Sequence, residues 1–417
     1  MRFIEELKWR NLFKDVTDEK GLVERMKTPM SAYCGFDPTA DSLHIGHLQQ
    51  ILLLKRYQKE GHHPIALIGG GTGMIGDPRP SSERTLQSIE TVQKNAVAIQ
   101  KQIESIVSDV DDNGVTVLNN YEWLKDIHLL EFLRDYGKFF NVNTMIAKDT
   151  IASRLDTGIS FTEFTYTILQ ALDWLHLLDH HQCEVQIGGS DQWGNLLSGS
   201  ELIRKVHGGT KQVFGITSPL ITKADGSKFG KSEGENIWLD PNRTDAYTFY
   251  QFWINVADED IENFMKRLSM KSVDEIKSII ATHEKEPHKR IAQRALASEL
   301  TELVFKAEGL ESAIRISETL FSGQLEKLSA KEIKLALKDA PSVTVEKSMS
   351  LVDLLVDNNL IKSKREDRTL ITQGSISING EKIDDTYFEM KKDDAIEQQI
   401  SIIKKGKKTF YIVLFVD

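Results

Sequence analysis

The chain is poor in the features that mark several protein classes. Its 417 residues include only two cysteines, Cys34 and Cys183, which excludes a disulfide framework and a thiolate zinc site. No apolar run reaches the roughly 18 residues that a membrane-spanning helix requires. Met1–Leu12 mixes Arg2, Glu5, Glu6, Lys8 and Arg10 with apolar residues, without the apolar centre or cleavage site of a secretory leader. A cytoplasmic location is the expectation. There is no internal repeat and no low-complexity tract.

What is present describes a soluble globular protein: 40% hydrophobic and 27% charged residues. The length implies two or three domains. The formal net charge of −10 argues weakly against a polyanionic partner, but its distribution is uneven. From Lys347 onward there are 12 Lys/Arg and 12 Asp/Glu, so the whole −10 lies in the preceding body. A neutral tail with clustered lysines is compatible with an RNA contact at that end.

Residues from about 30 to 220 alternate between short apolar strands and helical patterns. Strands are expected at Ser31–Phe36, Pro64–Gly69, Val115–Leu118, Glu184–Ile187 and Val213–Thr217. Helices are expected at His44–Glu60, Glu83–Ser108, Thr162–Asp179 and Gln192–Val206. This order predicts a mostly parallel sheet covered on both faces, with ligands at the carboxyl ends of its strands. The expected boundaries are a catalytic α/β domain at 1–222, a signature loop with an α-helical domain at 223–323, a linker at 324–347 and a small α+β domain at 348–417. In the last, two short helices precede a sequence that alternates around Asn379-Gly380, a hairpin signal.

The chain leaves the first strand through Tyr33-Cys34-Gly35-Phe36-Asp37-Pro38-Thr39 and enters a helix near His44-Ile45-Gly46-His47. A helix N-terminus after a strand offers free N–H groups and a positive dipole end, which suit phosphate. His44 and His47, three apart, share a face and can donate to one phosphate, and Gly46 lets a ligand approach the backbone. Taken alone, the pattern is equally a helix start with two satisfied histidines. Zinc lacks a completing ligand set. The second element is Lys228-Phe229-Gly230-Lys231-Ser232, a glycine-flanked loop whose lysines can follow a pyrophosphate as negative charge develops. On its own such a loop is most often a solvated turn.

Together the two signatures resemble those of class I aminoacyl-tRNA synthetases, and the whole chain resembles the bacterial tyrosyl-tRNA synthetases. The resemblance implies a Rossmann-type fold and a reaction in which the carboxylate of L-tyrosine attacks the α-phosphorus of ATP. Mg-pyrophosphate leaves, and tyrosine then passes to tRNA(Tyr). It assigns Thr39, His44, His47, Arg84, Lys228 and Lys231 to catalysis. The tyrosine hydroxyl falls to Tyr33 and Asp173, and its ammonium to Asp77, Tyr166 and Gln170. Gln192 lies near the carboxylate, and Cys34, Gly35, Asp37, Gly46, Gly189 and Asp191 meet the ribose and adenine. Tyr166, Gln170 and Asp173 also fall on one face of an otherwise apolar helix, where a polar stripe must find partners within the protein or on a ligand. The loop between Asp77 and Arg84 departs from the family pattern: it is one residue short and lacks a lysine, with Arg79 as a possible substitute. A tryptophanyl-type enzyme shares fold and motifs but has no need of the Tyr33/Asp173 pair. An RNA-binding protein on a synthetase scaffold is the third reading, and it predicts eroded signatures.

The terminal module resembles a small RNA-binding domain shared with certain ribosomal proteins. Lys362, Lys364, Arg365 and Arg368 lie on or beside one expected helix, and Lys404, Lys405, Lys407 and Lys408 form a second cluster. Such clusters are usually solvated faces, but the helix–helix–hairpin order favours phosphate contacts. By resemblance the helical domain serves the anticodon region and variable arm of tRNA, and the chain is a homodimer. No membrane partner is expected, and no metal site formed by protein ligands alone.

Overall fold

The computed structural model describes residues 2–78, 86–107, 113–156, 158–226, 229–232, 235–322, 324, 327–338, 340–346, 348–406 and 409–416. The chain forms two compact units, one of residues 1–245 with 252–304, the other of 246–251 with 305–417.

In the first unit five strands, β1 (Ser31–Phe36), β2 (His63–Ile68), β3 (Thr116–Asn119), β4 (Cys183–Gly189) and β5 (Phe214–Ser218), lie in the order β3-β2-β1-β4-β5. All four pairings are parallel. The apolar runs of β1, β2, β4 and β5 are buried, as a sheet covered on both faces requires, while the edge strand β3 is only partly buried. The strand order reverses between β1 and β4, so their carboxyl ends open the crevice in which such sheets bind ligands. The five expected strands all form, β1 with its expected bounds and the other four with ends displaced by one residue or two.

Helix Ile45–Lys59 leaves β1 and buries Leu48, Ile51, Leu52, Leu53 and Leu54. Each such side chain contributes roughly 1.5–3 kcal/mol. Helix Phe161–His181 starts at Ser160, whose side chain caps Glu163 N–H, and ends at Gln182 in the left-handed region (φ 53°). It packs Ile168, Ala171, Leu172, Trp174 and Leu175 into a core with Tyr33, Ile65 and Leu67, which turns its polar stripe toward the crevice.

Within 223–323, where an α-helical domain is expected, lie the helices Ala246–Ile254, Asp258–Leu268, Val273–Lys285 and Ile291–Ser322. These helices do not form one body. The last is interrupted at Lys306 (φ 63°), next to the point where the chain passes from one unit to the other.

The second unit carries a sheet in the order Glu381–Lys382, Ile376–Ile378, Ile400–Lys405, Thr409–Phe415, Ser342–Val345. Asn379 (φ 48°) and Gly380 (φ 92°) both have positive φ, the turn that matches the twist of a two-residue hairpin. The segment read as a linker, 324–347, is built into this unit instead. Helix Ala330–Ala336 buries Ala330 and Ile333 with Ile400, Ile402 and Ile412, and Ser342–Val345 pairs parallel with Thr409–Phe415. The strand begins directly after Pro341, whose carbonyl accepts from Ile412 N–H.

Candidate active site

At the carboxyl ends of β1 and β4 lies a cavity of about 410 Å³, lined by residues of both strands and both flanking helices. It brings together Tyr33, Cys34, Gly35, Asp37, Thr39, His44, Gly46, His47, Asp77, Tyr166, Gln170, Asp173, Gly189, Asp191 and Gln192. Arg79, Arg84 and Lys228 fall outside the described residues. Of Lys231 the backbone is described, in a two-residue strand with Ser232.

The histidine pair is ordered by its own helix start. His44 is the N-cap, and its Nδ1 accepts from Gly46 N–H at 3.0 Å. His47 Nδ1 accepts in turn from His44 N–H at 3.2 Å. With both Nδ1 atoms accepting, the ring proton of each histidine sits on Nε2. Burial lowers the pKa of His44 and lowers that of His47 to about 3, where the neighbouring His44 adds to the effect. Both are therefore neutral donors at neutral pH. A Cβ on Gly46 would come within 2.7 Å of the His44 ring, so any other residue here would displace that ring.

The described part of the lysine loop, Phe229-Gly230, approaches this helix start. Gly230 (φ +105°) lies so near that a Cβ there would be 3.8 Å from Gly46 N. The Gly230 carbonyl accepts from Ile237 N–H, and the Ile237 carbonyl accepts from Ile45 N–H at 2.9 Å. Phe229 is buried, 4.7 Å from the Phe264 ring and 5.7 Å from Phe252 and Trp253. Asp260 accepts from Ala224 N–H at 2.6 Å. The two signatures, nearly 200 residues apart in sequence, meet at one helix start.

The polar stripe ends in a carboxylate cluster. Asp173, 2% exposed, accepts from Asn120 Nδ2 at 2.8 Å and Trp123 Nε1 at 2.9 Å. Burial raises its pKa to about 7, against the pull of those two donors. Tyr33, 1% exposed, faces the same pocket; its phenol is pushed up by burial and by Asp173, and its hydroxyl has no partner among the described residues. Gln170 Oε1 is buried and without a partner in the same way. Asp77 accepts from Gln192 Nε2 at 2.8 Å, and burial raises it to about 6. Asp37 accepts from Thr72 Oγ1 and from Tyr166 Oη, each at 3.0 Å, so it is held against the tyrosine-side residues although the resemblance groups it with the ribose. Buried acceptors with raised pKa and orphaned polar atoms suit a ligand that brings a cation and a hydroxyl.

Asn120, Trp123 and Thr72 are the functional residues that the sequence reading missed. Asn120 links three of the groups, donating to Thr72 and Asp173 and accepting from Gly71 N–H at 2.7 Å. The signal was Asn119-Asn120 at the carboxyl end of β3, a ligand-facing position.

Among the residues that the resemblance places at the nucleotide, Cys34 is buried and its thiol is pushed up to about 12 by desolvation, so it is neutral. A Cβ on Gly189 would fall 2.4 Å from Asp191 Oδ1. In the second unit Lys362, Arg365 and Arg368 are exposed. Lys364 pairs with Asp353 at 2.5 Å, Lys405 lies 3.8 Å from Glu366, and Lys404 sits over the Phe410 ring. Lys407 and Lys408 fall outside the described residues.

A model of the class I tRNA synthetases (W and Y) matches residues 25–322. The chain belongs to this family. A second model, the tyrosine–tRNA ligase SYY-like C-terminal domain, matches residues 332–413. Among solved structures, the C-terminally truncated mitochondrial tyrosyl-tRNA synthetase of Aspergillus nidulans is 29% identical with a TM-score of 0.69, over 76% of this chain and 94% of that one. The truncated mitochondrial enzyme of Coccidioides posadasii is 30% identical, with a TM-score of 0.66 over 75% and 91%. A tryptophanyl-tRNA synthetase of Plasmodium falciparum matches at 14% identity and a TM-score of 0.54 over 79% and 87%, a likeness of fold alone. Within the family the chain stands on the tyrosyl side, as a tyrosine–tRNA ligase.

Proposed function

We propose that the cavity forms tyrosyl-adenylate from L-tyrosine and Mg-ATP and then transfers tyrosine to the 3′ end of tRNA(Tyr). The observation that carries this reading is one cavity lined both by the neutral donors His44 and His47 and by the buried Tyr33–Asp173 pair. The tyrosine hydroxyl meets Tyr33 and Asp173, and its ammonium meets Asp77, Tyr166 and Gln170. Gln192, held by Asp77, lies beside the tyrosine carboxylate. That carboxylate attacks the α-phosphorus, the bond to the bridging oxygen breaks, and pyrophosphate departs.

No protein side chain forms a covalent bond. The contribution of His44 and His47 is two fixed Nε2–H donors aimed at phosphate oxygens, which strengthen as charge develops. Arg84, Lys228 and Lys231 supply positive charge, and Thr39 completes the set. Gly189 and Asp191 hold the ribose hydroxyls, and Cys34, Gly35 and Gly46 line the ribose and base. Mg2+ enters with the nucleotide as substrate, since it favours phosphate oxygens and retained water over a protein cage.

The exposed basic residues of the C-terminal module, Lys362, Arg365 and Arg368, contact tRNA phosphates. The exposed apolar side chains Leu129, Leu130, Leu133, Val142 and Phe161 are surface that a second copy of the chain would cover, and sedimentation at increasing concentration tests the homodimer. No helix among the described residues is long and apolar enough to cross a membrane. A cytoplasmic location belongs to the same reading and is tested by cell fractionation.

The deciding experiment is amino-acid-dependent exchange of pyrophosphate into ATP with tyrosine, phenylalanine and tryptophan. Exchange with tyrosine alone is expected. Exchange with tryptophan and none with tyrosine would overturn the substrate.

A further inference from the structure

Five side chains that line the cavity hold a buried oxygen with no hydrogen-bond partner among the described residues: Tyr33, Gln49, Gln50, Gln170 and Gln186. Tyr33 and Gln170 face the amino acid in the reading above, and Gln186 pairs with Tyr33 across β1 and β4. Gln49 and Gln50 have no part in it. They follow His47 on the same helix, within one turn.

Gln49 is 2% exposed. Its Nε2 donates to the Pro219 carbonyl at 3.0 Å and to Ser218 Oγ at 3.2 Å. A carbonyl only accepts, so the contact with Pro219 fixes which end of the amide is nitrogen and directs Oε1 elsewhere. Gln50 Nε2 lies 2.9 Å from the same Ser218 Oγ. Ser218 ends β5, and Leu220 and Ile221 just beyond it also line the cavity. A buried acceptor is thus tied to an apolar wall, a pairing that suits a flat heterocycle with a donor on its edge.

ATP offers three uncharged donor groups: the two ribose hydroxyls and the 6-amino group of adenine. The hydroxyls fall to Gly189 and Asp191 in the proposed function, which leaves the amino group. We infer that Gln49 Oε1, with Gln50 beside it, accepts from the adenine 6-amino group and makes this chain select ATP over nucleotides with a 6-oxo base. The inference rests on the cavity being the ATP site. Guanine and hypoxanthine place an acceptor oxygen at that edge, which would leave the buried Gln49 oxygen unpaired.

The test is tyrosine-dependent pyrophosphate exchange with ATP, ITP, purine riboside triphosphate (no 6-substituent) and 2′-deoxy-ATP. For the unaltered chain, kcat/KM for ATP should exceed that for purine riboside triphosphate by roughly 10- to 100-fold, and ITP should be worse still. In Gln49→Met the ratio of ATP to purine riboside triphosphate should fall to within about 3-fold, with KM for tyrosine unchanged. The nucleotide series on the unaltered chain needs no variant to fold; equal use of ATP and purine riboside triphosphate there would overturn the inference. A ratio that survives in Gln49→Met, or a loss confined to 2′-deoxy-ATP, would overturn it as well. Absence of any ATP exchange would instead remove the ATP reading itself.

Discussion

Trp123 donates its indole N–H to Asp173 Oδ1 at 2.9 Å, while Asn120 holds the other carboxylate oxygen. Asp173 thus reaches the cavity already oriented. The indole ring also stacks on His176, with centroids 4.2 Å apart, which fixes the plane from which the N–H points. Trp123→Phe keeps the stack and removes the donor. A hydrogen bond to a charged group is worth about 1.5–3 kcal/mol, so kcat/KM for tyrosine should fall roughly 10- to 100-fold. Phenylalanine, which has no hydroxyl to place, should be unaffected. Exchange kinetics with tyrosine and the inhibition constant of phenylalanine as its competitor check this, and an equal weakening of both would show that Trp123 serves packing alone.

His44→Ala and His47→Ala should each lower kcat for adenylate formation by about 100- to 1,000-fold, the effect of removing one preorganised donor. KM for tyrosine should hardly change, because the tyrosine contacts lie elsewhere in the cavity. Since burial keeps His47 neutral down to about pH 3, the kcat profile should show no step from this group between pH 5 and 8. Single-turnover measurement across that range provides the check.

Burial raises Asp77 to about 6 and Asp173 to about 7. In the unfolded chain both ionise near pH 4. Between there and their folded values the native state binds more protons, so their contribution to stability falls as pH rises through that window. The ammonium of tyrosine favours the ionised form of Asp77. Tyrosine affinity should therefore rise from pH 5 to about 6.5 and then level off, with protons released on binding. Calorimetry in buffers of different ionisation heat measures that release; affinity flat across the window would contradict it.

Arg365→Ala and Arg368→Ala should weaken transfer to tRNA while leaving pyrophosphate exchange intact. Each lost phosphate contact should reduce the slope of log affinity against log salt by about 0.7–0.9. Filter binding at several salt concentrations reads this directly. An unchanged slope would remove both arginines from the RNA surface.

The parallel sheet was legible because its strands are short apolar runs set between helical periods, and the nucleotide end because histidine and lysine signatures carry their spacing locally. Asn120 and Trp123 were not, since their role exists only once β3 brings them beside Asp173, about 50 positions away. Strand Ile400–Lys405 escaped notice because Lys404 and Lys405 disguise its apolar alternation. The 324–347 stretch read as a linker because Ser342–Val345 is too short to announce itself. Its pairing partner lies some 70 residues downstream.

That late pairing bears on where the chain can be divided. A fragment begun at residue 348 would contain both basic clusters, the hairpin and all of Thr409–Phe415, yet would strip the parallel neighbour from that strand. An apolar edge of unpaired N–H and C=O groups is a template for self-association. Such a fragment should aggregate or bind RNA without discrimination, whereas one begun near residue 328 would keep the edge covered.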